Sequence, residues 1–109
     1  MDPRDTAGGS WNWLPSASPW WIPKIAGIKK AYPDRMLIAS IMAGSGSDKE
    51  LAHWQDLARA CQDAGADGLE LNLSCPHMDR EDMGSNIGKD QQLCSFVTQV
   101  VKEVARVPV

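Results

Sequence analysis

An α/β fold with a parallel sheet is what this 109-residue sequence predicts, on three observations. Helical stripes and short apolar runs alternate along the chain in the order helix, strand, helix, strand, helix, strand. The first of those runs, Met36 to Met42 (MLIASIM), is apolar without alternation, as suits a strand covered on both faces. Glycine, proline or polar residues punctuate each change of period.

Each element follows from its local pattern. Residues 1–20 show neither period: Gly8-Gly9-Ser10 is followed by Pro15 and Pro19 between tryptophans, and proline repeatedly removes backbone donors, so an irregular arm is expected. From Trp21 the spacing of Trp21, Ile25, Ile28 and Tyr32 predicts a short helix, with Pro23 in its first turn and Pro33 as its stop. After the first strand, Ser47-Asp48-Lys49-Glu50 has the form of a capping box. Leu51, Trp54, Leu57, Ala58 and Cys61 then share one helical face until Gly65 supplies a C-terminal cap. Gly68 to Ser74 alternates, leucines at 69, 71 and 73 against Glu70, Asn72 and Ser74, and predicts a second strand. The stretch from Cys75 to Lys89 has no apolar period and is longer than an ordinary strand-to-helix connection. Asp90 is the expected N-cap of a last helix burying Leu93, Val97, Val100, Val101 and Val104, before Val107-Pro108-Val109 turns extended.

Right-handed crossovers place such strands in one sheet with their C-terminal ends on the same side. Two strands and the start of a third cannot cover both of their faces. Residues 21–109 are therefore expected to be a fragment, roughly a quarter to a third, of a (β/α)8 TIM barrel, whose usual length is about 250 residues.

Composition narrows the function classes. The formal net charge is -3 and the basic residues are scattered, so the basic stripe that would neutralise nucleic-acid phosphates is missing. No apolar run approaches the roughly 20 residues of a membrane-spanning helix, and residues 1–20 lack the pattern of a secretory signal. Cys61, Cys75 and Cys94 match neither a disulfide framework nor a zinc pattern, so a reducing, cytoplasmic location and no metal are expected.

The second strand carries the chemistry. With its leucines turned towards the helices, Glu70 would face the barrel interior and Asn72 and Ser74 would approach the C-terminal mouth. There an amide and a hydroxyl either hold a planar polar ring or only bond nearby backbone to cap the strand. Cys75 and His77 follow, bringing a thiol and an imidazole to the same mouth. A thiol with an ordinary pKa near ~8.5 can deliver a proton at neutral pH; the alternative is a small buried Cys75 beside a surface His77. Gly44-Ser45-Gly46, between strand and helix, either cradles a phosphate or is simply a flexible loop.

The run Gly65-Ala66-Asp67-Gly68-Leu69-Glu70-Leu71-Asn72-Leu73-Ser74-Cys75-Pro76-His77 closely resembles the dihydropyrimidine dehydrogenase family. The likeness extends from about Trp21, through Tyr32-Pro33-Asp34 and Ile38 to Met42, to Met83-Gly84, Gly88, Asp90 and Val107-Pro108-Val109, about four fifths of the chain. The resemblance implies an FMN-binding (β/α)8 domain that reduces uracil or thymine to the 5,6-dihydro form, with hydride from reduced FMN to C6 and a proton to C5. It implies Cys75 as the proton donor, Asn72 and Ser74 as substrate or cofactor contacts, and His77, Met83 and Gly84 as residues of the active-site loop. NADPH, FAD and iron-sulfur clusters belong to other regions of such enzymes. The family follows Cys-Pro-His with Gly-Met-Gly-Glu-Arg-Gly-Met-Gly, whereas Met78-Asp79-Arg80-Glu81-Asp82 stands here, which puts glycine-hinge behaviour in doubt. Class 1 dihydroorotate dehydrogenases share Asn-Leu-Ser-Cys-Pro but typically carry Asn where His77 stands. The expected consequence is a chain that lacks most flavin contacts and is inactive alone. A non-catalytic product that self-associates through exposed sheet edges is the other expectation.

Overall fold

A computed structural model describes residues 14–76 and 80–109. Its elements are α1 (Leu14–Ala31), β1 (Ile38–Ile41), α2 (Asp48–Asp63), β2 (Gly68–Leu71), α3 (Ser85–Gly88) and α4 (Gln91–Lys102). The strands pair in parallel with Ile38 opposite Gly68 and Ile41 opposite Leu71. The molecule is thus mixed α/β around a small two-stranded parallel sheet.

Local signals explain most boundaries. The Ser47 hydroxyl accepts from the Glu50 N–H at 3.3 Å and starts α2. Only half of the capping box forms, because the Glu50 carboxylate turns to the Gly44 N–H instead, at 3.0 Å. Gly65 follows the α2 cap with φ 112°. The Asp90 carboxylate accepts from the N–H groups of Gln92 and Leu93 and starts α4.

Several expectations need correction, among them that the first strand is covered on both faces: Met36 and Ile38 are about half or more exposed. Helix α1 begins at Leu14, not Trp21, so residues 14–20 belong to a helix and not to an irregular arm; residues 1–13 lie outside the described residues. Pro15 falls in the first turn, where no N–H is needed, and Pro19 and Pro23 each remove one donor. Their four-residue spacing gathers the missing bonds along one side of the helix, and the other sides keep theirs. The stretch from Cys75 to Lys89 also holds an element, α3, anchored by the fully buried Ile87.

The core lies on one side of the sheet. Ala39, Ile41 and Leu69 are buried against Trp54, Ala58 and Cys61 of α2 and Val97 and Val101 of α4, with Ile22 and Ile25 of α1 packed at the margin. Val100, expected in the α4 stripe, is only half-buried, as is Leu93. The opposite sheet face presents Ile38, Ser40 and Glu70 to solvent, and the Ser40 hydroxyl donates to the Glu70 carboxylate at 2.7 Å. At the far end of the sheet, Lys29 of α1 bonds the Asp67 carboxylate at 2.6 Å. That carboxylate also accepts the Leu37 N–H at 2.8 Å, so two elements converge where β2 begins. The Asp67 carboxyl is held below its ordinary range by Lys29 first and the Leu37 N–H second.

The C-terminal segment continues the pattern. Leu69 N–H donates to Pro108 O at 2.9 Å while Asn72 N–H donates to Ile41 O, so alternation places Pro108 on the β2 edge away from β1. Buried Gln62 of α2 holds this return, its amide bonding Val104 O and the Arg106 N–H, each at 2.9 Å.

Trp54 is fully buried, and its indole Nε1 donates to Gly44 O at 2.9 Å. Trp54→Ala is expected to cost about 3–5 kcal/mol in urea unfolding. Trp54→Phe, which keeps the ring and strands the Gly44 carbonyl, should lose about 1–3 kcal/mol. A Trp54→Phe loss near zero, with the Trp54→Ala loss intact, would show that the indole bond contributes nothing.

Candidate functional site at the C-terminal end of the sheet

The expected site residues gather where β1 and β2 end. Asn72, the first residue past β2, is half-buried and its backbone is tied to β1. Its side-chain Oδ1 accepts from the N–H of Ser74 at 3.2 Å and of Cys75 at 3.1 Å. This is an Asx turn, so the strand-capping role applies to Asn72. A ligand contact by Asn72 would then run through its NH2 group, a donor. Ser74 is exposed at the mouth, and Cys75 is half-buried and free of any disulfide. His77 lies outside the described residues.

Cys75 is fixed from both sides. Its N–H is held by Asn72, and its carbonyl accepts the Ser85 N–H at 2.9 Å, which closes the base of the loop between β2 and α3. Met83 is buried, and Gly84, with φ 58°, leads into α3. Gly88 at the end of α3 abuts the Leu73 carbonyl so closely that a Cβ there would collide with backbone. The thiol therefore stands on a strand end against which a helical turn is packed. Cys61 and Cys94 do not join it. Cys61 is buried in the core, which pushes its thiol up, and the Cys94 thiol donates to Ile87 O at 3.2 Å.

A carboxylate cluster that local sequence patterns do not reveal faces this loop. The Asp82 Oδ2 accepts from the N–H groups of Ser45 and Gly46 at 3.2 and 2.9 Å, and the Asp82 carbonyl accepts the Ser45 N–H at 2.9 Å. Arg80 donates to both Asp82 carboxylate oxygens, at 3.0 and 2.6 Å, and lies 3.1 Å from the Glu50 carboxylate. The glycines of Gly44-Ser45-Gly46 allow this approach, because a Cβ at Gly44 would meet the side chains of Asp82, Arg80 and Glu50. Partial burial raises the Asp82 carboxyl, but the Arg80 guanidinium and the Gly46 N–H outweigh it and hold it below the usual carboxylate range. The amides read as a possible phosphate cradle are thus occupied by the chain's own carboxylate.

This occupancy tests the implied flavin. Ser40 and Glu70 bond each other, and the amide pair at the β1 mouth is taken by Asp82, so the described residues do not offer that pair to the phosphate of a flavin. Among them, no three His, Cys, Asp or Glu side chains could hold a metal ion, and no helix is long and apolar enough to cross a membrane.

No family model matches the chain. Known proteins do. The PreA subunit of the NAD-dependent dihydropyrimidine dehydrogenase of Escherichia coli is 42% identical over 81 residues, 74% of this chain and 18% of that protein. The chloroplastic dihydropyrimidine dehydrogenase (NADP(+)) of Arabidopsis thaliana is 40% identical over 83 residues, 75% of this chain and 18% of the relative. The catalytic subunit of dihydroorotate dehydrogenase B (NAD(+)) of Methanosarcina mazei is 39% identical over 80 residues, 73% of this chain and 23% of the relative. The chain is a homologue of a segment of the dihydropyrimidine and dihydroorotate dehydrogenases, and it spans about a fifth of the curated relatives it matches.

The depressed Asp82 carboxyl makes a pH prediction. A group whose folded pKa lies below its unfolded value stabilises the fold above the ordinary value, near ~3.9, and loses that contribution as pH falls through the folded value. The thermal midpoint of the native chain should exceed that of Asp82→Asn at neutral pH, and the gap should close under acid conditions. A gap independent of pH would assign the effect to shape instead of charge.

Proposed function

We propose that this chain is a segment of an FMN-dependent (β/α)8 barrel that reduces uracil or thymine, with Cys75 as the proton donor to the pyrimidine ring. The observation that carries this reading is the position of Cys75, held between Asn72 and Ser85 at the end of a strand whose polar row faces away from the helices. The Asn72 NH2 group is a donor suited to a pyrimidine carbonyl, and exposed Ser74 adds a hydroxyl beside it. A pyrimidine ring lying over Ser40, Glu70 and Asn72 would present a carbon to the thiol. Cys75 would give its proton to that carbon and be reprotonated from solvent or a neighbouring acid–base group. Were FMN bound, the chemistry it would supply is hydride to the adjacent ring carbon. His77 after Cys75-Pro76 favours the pyrimidine-reducing relatives over the dihydroorotate dehydrogenases.

Two measurements test the reading. FMN added to the purified chain should be lost on gel filtration, with no visible flavin band co-eluting; a stoichiometric band would overturn the view that the chain holds only part of the cradle. Grafted in place of the matching segment of the E. coli relative, the chain should support dihydropyrimidine turnover. Cys75→Ala in that graft should abolish turnover while flavin is retained, and undiminished turnover would remove the proton-donor role.

A second reading rests on exposed apolar surface. Trp20, Trp21 and Ile28 of α1, Tyr32 just after it, Met36, and Ile38 of β1 are about half or more exposed. A chain of this kind would self-associate through these faces. Sedimentation should show mass rising with concentration, and a monomer at every concentration would dismiss it.

A further inference from the structure

We infer that Arg80 and Asp82 form a clasp that positions Cys75, holding the thiol-bearing loop against the β1–α2 connection in this chain. The inference rests on the reading of Cys75 as the reacting thiol and adds the groups that set its place.

The geometry is a short relay of bonds. The β1–α2 connection offers two adjacent N–H groups, those of Ser45 and Gly46, and Asp82 takes both on its Oδ2. The Ser45 hydroxyl adds a bond to the Asp82 carbonyl at 3.2 Å. Arg80 closes the ring by bridging Asp82 and Glu50, and Glu50 is itself bound to the Gly44 N–H. One carboxylate thereby joins the loop's return limb to the β1–α2 connection, while buried Met83 fixes the next residue. Three residues beyond Asp82, the Ser85 N–H holds the Cys75 carbonyl. Displacing Asp82 would free the start of that return limb and loosen the Ser85 anchor of Cys75. Arg80 and Asp82 tie this part of the loop to its neighbour with charge-assisted bonds.

The clasp acts through position, not by contact with a ligand. A side chain that merely stabilises the fold would, when lost, expose all three cysteines together. A positioning residue would change Cys75 alone.

The test is the alkylation rate of each cysteine in the full 109-residue chain under native conditions, read peptide by peptide with iodoacetamide as the probe. Asp82→Asn should raise the Cys75 rate about tenfold, the order expected for losing a hydrogen bond to a charged group, while Cys61 and Cys94 keep their rates. Arg80→Gln, which leaves the Asp82 bonds to Ser45 and Gly46 in place, should give a smaller rise confined to the same residue. An unchanged Cys75 rate in both variants would overturn the clasp. A parallel rise at all three cysteines would overturn it too, by reducing Asp82 to general stability. Proton donation by Cys75 is judged separately by the grafted enzyme, so either idea can fail while the other stands.

Discussion

The burial of Trp54 is the constraint on which the rest of the molecule leans. Its ring fills the space between α2 and the sheet, and its indole N–H ends on the carbonyl of Gly44, the point where β1 gives way to its connecting loop. A large apolar group and a directed bond thus act on one residue. The first holds the helix on the sheet, and the second fixes where the loop departs. The amides of Ser45 and Gly46, which follow Gly44 directly, face Asp82. The core and the mouth of the sheet are therefore not independent parts.

From that fixed loop, order passes to the thiol along backbone and carboxylate bonds. Asn72 uses its side chain to shape the two residues after it, and α3 presses against the strand end from the other side. Charged groups are concentrated here: Glu50, Arg80 and Asp82 meet within one cluster, while the core is almost wholly apolar. Such a cluster at a partly exposed rim offers directional bonds with modest desolvation. The open sheet face carries Ser40 and Glu70 bonded to each other, so polar groups there are satisfied even with the face uncovered.

Readings that depended on neighbours in sequence were legible. The caps at Ser47 and Asp90, the glycine after α2 and the alternation of leucines with Glu70 and Asn72 each act within a few residues. The start of α1 was obscured because Pro15 and Pro19 read locally as helix breakers, although with Pro23 they share one side and leave most of the helical ladder intact. Helix α3 has four residues, too few to display a period, and its one signal was Met83 and Ile87 at a helical spacing. The bonds from Ser45 and Gly46 to Asp82 span 37 and 36 residues, and no local rule reaches so far. What the family resemblance did register was a departure, charged residues where its glycines were expected, whose partners only the folded chain supplies.

The contact between Gly88 and the Leu73 carbonyl has a bearing on how such a sequence can vary. Glycine alone lacks the atom that would strike that carbonyl, so the position acts as a filter that rejects every other side chain at its first carbon. A substitution there would push the α3 turn off the strand end and strain the bond between the Ser85 amide and the Cys75 carbonyl. A lineage could therefore lose the geometry around its thiol while keeping its fold, and this one glycine would mark the difference.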